Sequence, residues 1–322
     1  MDWINEHLLQ LPDNLTIKSW KEKIEYLYSQ QLDEWKMAQN HYQQLITIEK
    51  RSVFFGGLRI DIQHNPARAR STCADLSKKV IEKRPCFLCA QNLPTEQKGF
   101  IIQNNYLLLI NPYPIFNRHL TISNTNHVPQ QISNRITDML AIAKTLEGFT
   151  VFYNGPYCGA SAPDHFHFQA VKSDNMPIEK ELTTVERITI FKAEDIAISK
   201  MINYLRSVLV LESGYSEPID YFFHKIYHQL PFDNESGEPM MNILASFENG
   251  NYRLTIFPRK AQRPSCYFKE DPERIIVSPA SVEMGGLIII PRNDDFKKIT
   301  KNDLEKIFKE VSFEPDLAVP LF

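Results

Sequence analysis

The sequence predicts an α+β fold built around an antiparallel sheet. Strand-type segments recur along the chain, and most of the turns between them are too short for the crossovers that a parallel sheet needs. Few segments show helical periodicity, so helices are expected to flank the sheet rather than to alternate with its strands. The 322 residues, 43% of them hydrophobic and 23% charged, can bury one large core or two modest ones.

The first half of the chain is predicted to form a helical segment followed by strands. Apolar residues recur at helical spacing among polar ones up to about residue 51. One further helix is predicted over residues 133–146. The predicted strands of this half span residues 53–62, 100–110, 120–122, 149–153 and 166–171.

The second half repeats this order loosely. Its predicted helical segments are residues 193–210, 218–230 and 301–311. A loop rich in turn residues, 233–239, precedes the predicted strands at residues 241–247, 252–258, 274–278 and 285–291. The similar order indicates an internal structural repeat, although no strong sequence repeat accompanies it.

The bulk charge gives no reason to expect a nucleic-acid partner. The formal net charge is −3, the sequence pI is about 6.3, and no long basic run occurs. The longest apolar runs are strand-sized and residues 1–15 do not resemble a signal peptide, so we expect a cytoplasmic protein without a membrane span. Five cysteines include the pair Cys86-x-x-Cys89, which in a reducing compartment indicates metal or redox chemistry rather than a disulfide.

A His-x-His-x-Gln segment is the strongest candidate for a reactive site. Because side chains alternate along a strand, His165, His167 and Gln169 share one face, while Phe166 and Phe168 point into a core. Imidazole is a competent nucleophile toward phosphorus and is largely unprotonated near neutral pH. The Gln169 amide can donate to phosphoryl oxygens. From the pattern alone, two histidines that merely alternate in an amphipathic strand are an equally good interpretation.

A loop of small residues precedes this strand. Asn154, Gly159 and Ser161 belong to it; its glycines let backbone N–H groups approach an anion closely, and Ser161 adds a hydroxyl donor. The loop therefore favours a phosphate ligand next to His167.

Together, the loop and the His-Phe-His-Phe-Gln segment resemble the active site of the transferase branch of the histidine-triad (HIT) superfamily. That branch includes galactose-1-phosphate uridylyltransferase, diadenosine tetraphosphate phosphorylase and the GDP-hexose phosphorylases, and this form of the motif is most similar to the last. The resemblance implies an HIT-like antiparallel sheet with flanking helices, in two HIT-like halves of which only the first is catalytically equipped. It divides the chain into a helical extension (1–50), a catalytic half (51–175) and a degenerate half (176–322).

The resemblance also implies the reaction. His167 is the nucleophile, Gln169 supports it, and Asn154, Gly159 and Ser161 hold phosphates, although the spacer from Ser161 to the first histidine is one residue longer than in the uridylyltransferases. A nucleotidyl group would pass from a nucleoside-diphosphate sugar, with GDP-hexose favoured, to phosphate or a sugar phosphate. No organic cofactor is implied, and a homodimer is expected.

The cysteine pair resembles the zinc-binding segment of the uridylyltransferases. A tetrahedral structural zinc needs four nitrogen or sulfur ligands. The resemblance supplies His127 and His165 beside Cys86 and Cys89, so that the zinc would fix the strand next to the nucleophile. A pair of reduced thiols near a solvated histidine is the alternative that stays open.

Further substrate contacts are expected outside the motif. Arg68 and Arg70, two apart in an extended stretch, could clamp phosphate oxygens. Asn104 and Asn105 resemble a segment that lines the base and ribose pocket, and Arg259 in the second half is expected to contact the distal or incoming phosphate. A solvated turn is the competing interpretation for each arginine.

Three functional hypotheses follow from these residues. The first is transfer from a nucleotide sugar. The second is a dinucleoside polyphosphate phosphorylase or a hydrolase, and Gln169 in place of a third histidine argues against hydrolysis. The third is a nucleotide- or zinc-binding module without chemistry.

Overall fold

The computed structural model describes residues 3–12, 17–73 and 77–314, without the side chains of residues 70, 71 and 78. The helices of this part are α1 (Trp3–Glu6), α2 (Trp20–Glu34), α3 (Lys36–Gln44), α4 (Ala69–Thr72), α5 (Lys78–Ile81), α6 (Ile136–Thr145), α7 (Pro177–Thr184), α8 (Ser216–Gln229), α9 (Ser281–Met284), α10 (Asn293–Lys298) and α11 (Lys301–Val311). Single 3₁₀ turns span Leu45–Thr47, Pro66–Arg68, Ala90–Asn92 and Ser265–Phe268.

The strands of the same part fall into two larger sheets and one short ribbon. They are β1 (Lys50–Phe55), β2 (Leu58–His64), β3 (Gly99–Ile102), β4 (Tyr106–Ile110), β5 (His119–Asn124), β6 (Phe149–Asn154), β7 (His167–Lys172), β8 (Arg187–Lys192), β9 (Ala197–Met201), β10 (Leu209–Ser213), β11 (Phe232–Asp233), β12 (Glu238–Pro239), β13 (Met241–Glu248), β14 (Asn251–Pro258) and β15 (Leu287–Ile290).

A single antiparallel sheet of ten strands runs through both halves of the chain. Its order is β3-β4-β5-β7-β6-β13-β14-β10-β9-β8, and the halves meet where β6 pairs with β13. The prediction of an α+β fold around a large antiparallel sheet is confirmed.

The two sides of this sheet have the same topology. On each side, three strands are followed by a helix, α6 or α8, and then by two strands, of which the last inserts between the third and the fourth. The strands β6 and β13 are the equivalent fourth strands. This repeat agrees with the interpretation of two similar halves, whose residue boundaries stay a prediction.

The two faces of the sheet are covered differently. Helices α2, α3, α6 and α8 cover one face, and the side chains of Phe166, Phe168 and Ala170 are buried in that core, as strand alternation predicts. The other face packs against a small sheet, β1-β2-β15, and against α7, α10 and α11. The functional face of the first half therefore lies on the side of the small sheet.

The helical segment predicted over residues 193–210 is wrong. This region belongs to the edge of the sheet, where β9 pairs with β8 and β10. Ile198 lies between a partly exposed Ala197 and the polar Ser199, and pairing within the sheet decides the conformation.

Two strand predictions also need correction. Residues 274–278 form no strand, because loop and side-chain acceptors bind this segment: Ile275 N–H donates to the Cys266 carbonyl and Ile276 N–H to Asp295 Oδ2. The strand predicted over residues 100–110 is two strands, joined by a turn in which Gln103 (φ 48°) and Asn104 (φ 58°) are left-handed.

Within the described ranges, no helix has the length and apolar character that crossing a bilayer requires.

Candidate active site

A cavity of about 520 Å³ opens on the functional face of the first half. Strand residues form its floor, and segments from both halves form its walls, which is a common arrangement for small-molecule sites. The floor residues include Thr121, Phe152, Asn154, His167 and Gln169. The wall residues used below are Trp35, Arg68, Arg84, Gln97, Asn111, Gly159, Ser161, Arg263, Ala280 and Glu283.

The His167 imidazole is oriented by its own strand. Nδ1 lies 2.9 Å from the backbone carbonyl of His165. Because a carbonyl only accepts, Nδ1 carries the proton and Nε2 carries the lone pair. Burial lowers the pKa of His167 to about 4, so the ring is neutral at physiological pH. A neutral imidazole with a free Nε2 is the form that can attack phosphorus.

The Gln169 amide is held with its NH₂ group available. Ile115 N–H donates to Nδ1 of His119, so Nε2 of His119 carries the proton and donates to Gln169 Oε1 at 2.9 Å. Burial, with the charge of Arg68 adding to it, lowers the pKa of His119 to about 3, which keeps this ring neutral. Asn111 Nδ2 lies 3.4 Å from the same Gln169 oxygen. The oxygen is therefore used inside the protein, and the amide donors remain for a ligand.

The loop between β6 and β7 is fixed by the second half. Asn154 Oδ1 accepts from Asn242 Nδ2 at 3.0 Å and from Ser281 N–H at 2.8 Å, so the Asn154 NH₂ group is the part left to donate. Gly159 is left-handed (φ 97°), and a Cβ there would lie 2.3 Å from Cβ of Ala280. Only glycine fits this close approach.

The charged side chains that line the cavity, among the described residues, are Arg68, Arg84, Arg263 and Glu283. Arg84 Nη2 donates to Asp164 Oδ1 at 2.6 Å, while its Nη1 is buried without a partner in the described part of the chain. Burial raises the pKa of Glu283, and the nearby charge of Arg68 lowers it. Three arginines make the cavity suited to an anion.

A second cluster, of two cysteines and two histidines, includes His165, two residues before His167. Side-chain atoms of Cys86, Cys89, His127 and His165 all lie within 4.8 Å of one another. Nε2 of His165 donates to the Asn124 carbonyl at 2.8 Å, so its Nδ1 lone pair faces Cys86 Sγ (3.3 Å) and Cys89 Sγ (3.4 Å). Sulfur–nitrogen separations of roughly 3.5 Å are expected around a tetrahedral zinc. The donor set and its geometry fit that metal.

Comparison with known proteins gives matches on both halves. A family described as "Domain of unknown function (DUF4922)" matches residues 27–172, and one described as "GDPGP1-like, C-terminal domain" matches residues 177–316. The galactose-1-phosphate uridylyltransferase of Clostridium acetobutylicum is 25% identical over 194 residues, which are 49% of this chain and 39% of that protein. The chain thus spans well under two thirds of this curated relative.

The fold has solved counterparts. Yeast Ap4A phosphorylase Apa2 in complex with Ap4A matches with a TM-score of 0.61 at 15% identity, over 92% of this chain and 99% of that one. The same enzyme in complex with AMP matches with a TM-score of 0.56 at 15% identity, over 88% and 97%. The chain is therefore similar to transferases of the histidine-triad type. At this identity the yeast structures establish the shared fold alone.

Three residues expected at the site of this histidine-triad fold lie elsewhere. Asn104 and Asn105 are exposed at the turn between β3 and β4 and do not line the cavity. Arg259 is 2% exposed, and its guanidinium donates to Asn242 Oδ1 and to the carbonyls of residues 261, 262, 279 and 311. All its donors are satisfied inside the protein, so it stabilises the second half instead of holding phosphate. The side chain of Arg70 lies outside the described residues.

The cavity also contains residues that the sequence did not single out. Asn111, Glu283, Arg84 and Arg263 line it, and His119 supports the lining residue Gln169. Arg84 lies two residues before Cys86 and His119 begins β5, so a local signal existed for both. The second-half residues have none, because they reach the site only through the pairing of β6 with β13.

Proposed function

We propose that the protein is a nucleotidyltransferase of the phosphorylase type that cleaves a nucleoside-diphosphate sugar through a covalent nucleotidyl-His167 intermediate. The observation that supports this most directly is the fixed tautomer of His167, whose Nδ1–H donates to the His165 carbonyl and leaves the Nε2 lone pair in a cavity lined by arginines. Phosphate or a sugar phosphate is the acceptor.

The first step forms a P–N bond and breaks a P–O bond. Nε2 of His167 attacks the α-phosphorus, and the bridging oxygen leaves with its electron pair on the sugar phosphate. The Nδ1–H bond to the His165 carbonyl stabilises the positive charge that develops on the ring. The amide donors of Gln169 and Asn154 bind the phosphoryl oxygens, because their own oxygens are already engaged.

The second step reverses the chemistry with a different partner. An oxygen of the acceptor attacks the same phosphorus, the P–N bond breaks, and the electron pair returns to Nε2. Arg68, Arg84 and Arg263 provide the positive charge that both the leaving and the incoming phosphate need, with the unpaired Nη1 of Arg84 as an available donor.

Zinc is assigned to Cys86, Cys89, His127 and His165, where it would act as a structural ion. These four residues would fix the start of β7 and with it the carbonyl that orients His167. The same thiols fit a reducing compartment such as the cytoplasm. A homodimer remains a prediction, which light scattering of the purified chain would test.

GDP-hexose is the substrate type that we favour. The family matched by the second half is described as GDPGP1-like. Gln97 lines the cavity, is 5% exposed, and its Nε2 donates to the Ile110 carbonyl. Its Oε1 has no partner among the described residues and can accept from the adjacent N1–H and N2–H groups of guanine, whereas adenine offers only its N6 amino group.

The test is a panel of GDP-, UDP- and ADP-hexoses and dinucleoside polyphosphates, each incubated with and without phosphate. We expect phosphate-dependent release of a nucleoside diphosphate, fastest with GDP-hexose, and no turnover by His167→Ala. His224→Ala is the matched control, because His224 on α8 binds the Ser133 carbonyl away from the cavity. Product release that does not depend on phosphate would indicate a hydrolase. Faster turnover of dinucleoside polyphosphates than of nucleotide sugars would contradict the proposed substrate class, and turnover by His167→Ala would contradict the mechanism.

A further inference from the structure

Gln130 is a buried side chain that binds the backbone of the nucleophile on both sides. Its Oε1 accepts from His167 N–H at 2.8 Å, and its Nε2 donates to the His167 carbonyl at 3.0 Å. The same NH₂ group donates to the Asn154 carbonyl at 3.0 Å. Gln130 lies in the loop between β5 and α6 and has no exposed surface. One amide therefore ties His167 to the end of β6.

The Gln130 amide replaces backbone pairing that is missing between β6 and β7 beside the site. The pairing of β6 with β7 runs from Phe149 to Phe152, and beyond Phe152 the two strands separate to make room for the loop at residues 155–166. Separated strands leave backbone N–H and C=O groups that need partners. The Gln130 side chain fills the gap, so that His167 is held rigidly beside an open loop.

Gln130 is held in turn by a carboxyl group of the second half. Glu238 Oε2 accepts from Ile132 N–H at 2.8 Å, and Glu238 Oε1 lies 2.5 Å from the hydroxyl of Tyr153. That hydroxyl also lies 3.1 Å from the Gln130 carbonyl. The carbonyl can only accept, and a tyrosine hydroxyl has one proton. Both Tyr153 contacts are hydrogen bonds only if Glu238 is protonated and donates to Tyr153.

We propose that Gln130 is a positioning residue that fixes His167 for attack, and that protonated Glu238 holds it in place through Tyr153. The proposal rests on His167 being the nucleophile.

The side chains of Cys158, Tyr227 and Tyr153 that face Glu238 are neutral, and Asp233 lies opposite Glu238 in the β11–β12 ribbon. Burial raises the pKa of Cys158 to about 12 and that of Tyr227 to about 12, and it raises the pKa of Tyr153 further. Burial also raises the pKa of Glu238 itself, to about 7. Since this pKa lies above its ordinary value, the protonated form and its hydrogen bonds are present at low pH and are lost as the pH rises through about 7.

The first experiment compares Gln130→Ala with Gln131→Ala. Gln131 is the adjacent exposed glutamine, and its amide binds the Ser236 carbonyl. The rate at which His167 becomes nucleotidylated should fall about 100-fold in Gln130→Ala, as expected for a misplaced nucleophile, while the Kd for the nucleotide changes less than about threefold. Gln131→Ala should keep the wild-type rate. An unchanged rate in Gln130→Ala, or a loss seen only in Kd, would overturn the proposal.

The second experiment compares Glu238→Gln with the wild-type chain between pH 6 and 8.5. Glutamine reproduces the protonated acid, because its NH₂ group can donate to Tyr153 while its oxygen accepts from Ile132. The wild-type rate should fall as the pH rises through about 7, and the Glu238→Gln rate should stay level. Identical pH curves would contradict the role of Glu238. A wild-type chain that never nucleotidylates His167 would instead refute the proposed function, so the two failures are distinguishable.

Discussion

The two halves of the sheet share one strand order but differ at the junction of their last two strands. In the first half, β6 and β7 are separated by residues 155–166, which carry the phosphate-binding candidates. In the second half, β13 and β14 are joined by Asn249 (φ 52°) and Gly250 (φ 79°), the left-handed pair of a tight hairpin turn. The same topology therefore supports an open loop on one side and a continuous ladder on the other.

The side chains at equivalent positions also differ between a half that forms the site and a half that does not. Phe152 pairs with Gln169, and its counterpart Leu244 pairs with Thr255. One step nearer the junction of the two strands, Ser246 pairs with Arg253, where the first half has Asn154 and His167. The second half thus has a regular strand pair without a histidine at this position, and it supplies Asn242, Ser281 and Glu238 to hold the site of the first half.

The largest effect is expected at Gly159, where the loop of the first half touches the second. Gly159→Ala should lower kcat by a factor of at least about 100. The new methyl group would collide with Ala280 and displace the loop that is proposed to bind phosphate. Gly148 is the matched control: it is also left-handed (φ 86°) but has open space around it. Gly148→Ala should lower stability by about 1–2 kcal/mol and leave kcat unchanged. Equal kcat in the two variants would show that the contact between the halves does not matter.

The metal cluster is a second asymmetry, because among the described residues a Cys/His group of this kind occurs in the first half only. We expect about one zinc per chain by mass spectrometry of metals. Cys89→Ser should lower the zinc content and reduce activity about 10- to 100-fold, since the ion supports the strand that carries His167. Cys266→Ser changes a half-buried thiol outside the cluster and should do neither. If zinc-free Cys89→Ser kept full activity, the metal would have no role in supporting the active site.

A smaller change is expected at the proposed base contact in the cavity. Gln97→Met keeps the length of the side chain and removes the amide acceptor, so the preference for GDP-hexose over ADP-hexose in kcat/KM should shrink about tenfold. The measurement is the ratio of the two substrates, because general damage to the site would lower both rates together. A ratio that does not change would mean that Gln97 does not contact the base.

The smallest effect is expected at the turn of the second half. Gly250→Ala should cost about 1–2 kcal/mol of stability, because the residue is left-handed, and it should not change activity. Thermal unfolding and a standard assay would check both. A loss of activity comparable to that of Gly159→Ala would contradict the contrast between a structural turn and a catalytic loop.

Local patterns in the sequence predicted the features that depend on one segment of the chain, such as the face of a strand on which a side chain lies. Alternation placed His165, His167 and Gln169 away from the core. The spacing of the cysteines indicated metal or redox chemistry, and the resemblance supplied His127 and His165 as further ligands. The sequence predicts a helix over residues 193–210, which contain β9 and the start of β10, because pairing within the sheet is not visible in the local pattern.

The supports of the site could not be predicted in this way. Tyr153 and Glu238 meet across 85 residues, and Gln130 meets His167 across 37. No local periodicity predicts such contacts, since they arise only when segments distant in sequence pack together. Arg259 illustrates the converse: an arginine after a strand suggested phosphate binding, but the folded chain surrounds it with carbonyl acceptors.

The proposed mechanism depends on the covalent nucleotidylation of His167. The most direct measurement is to quench the enzyme at high pH after mixing with GDP-hexose in the absence of phosphate, and to map modified peptides by mass spectrometry. We expect a GMP adduct on His167 that is labile to acid and disappears when phosphate is added before the quench. Steady turnover of the same substrate with no adduct on His167 would contradict it.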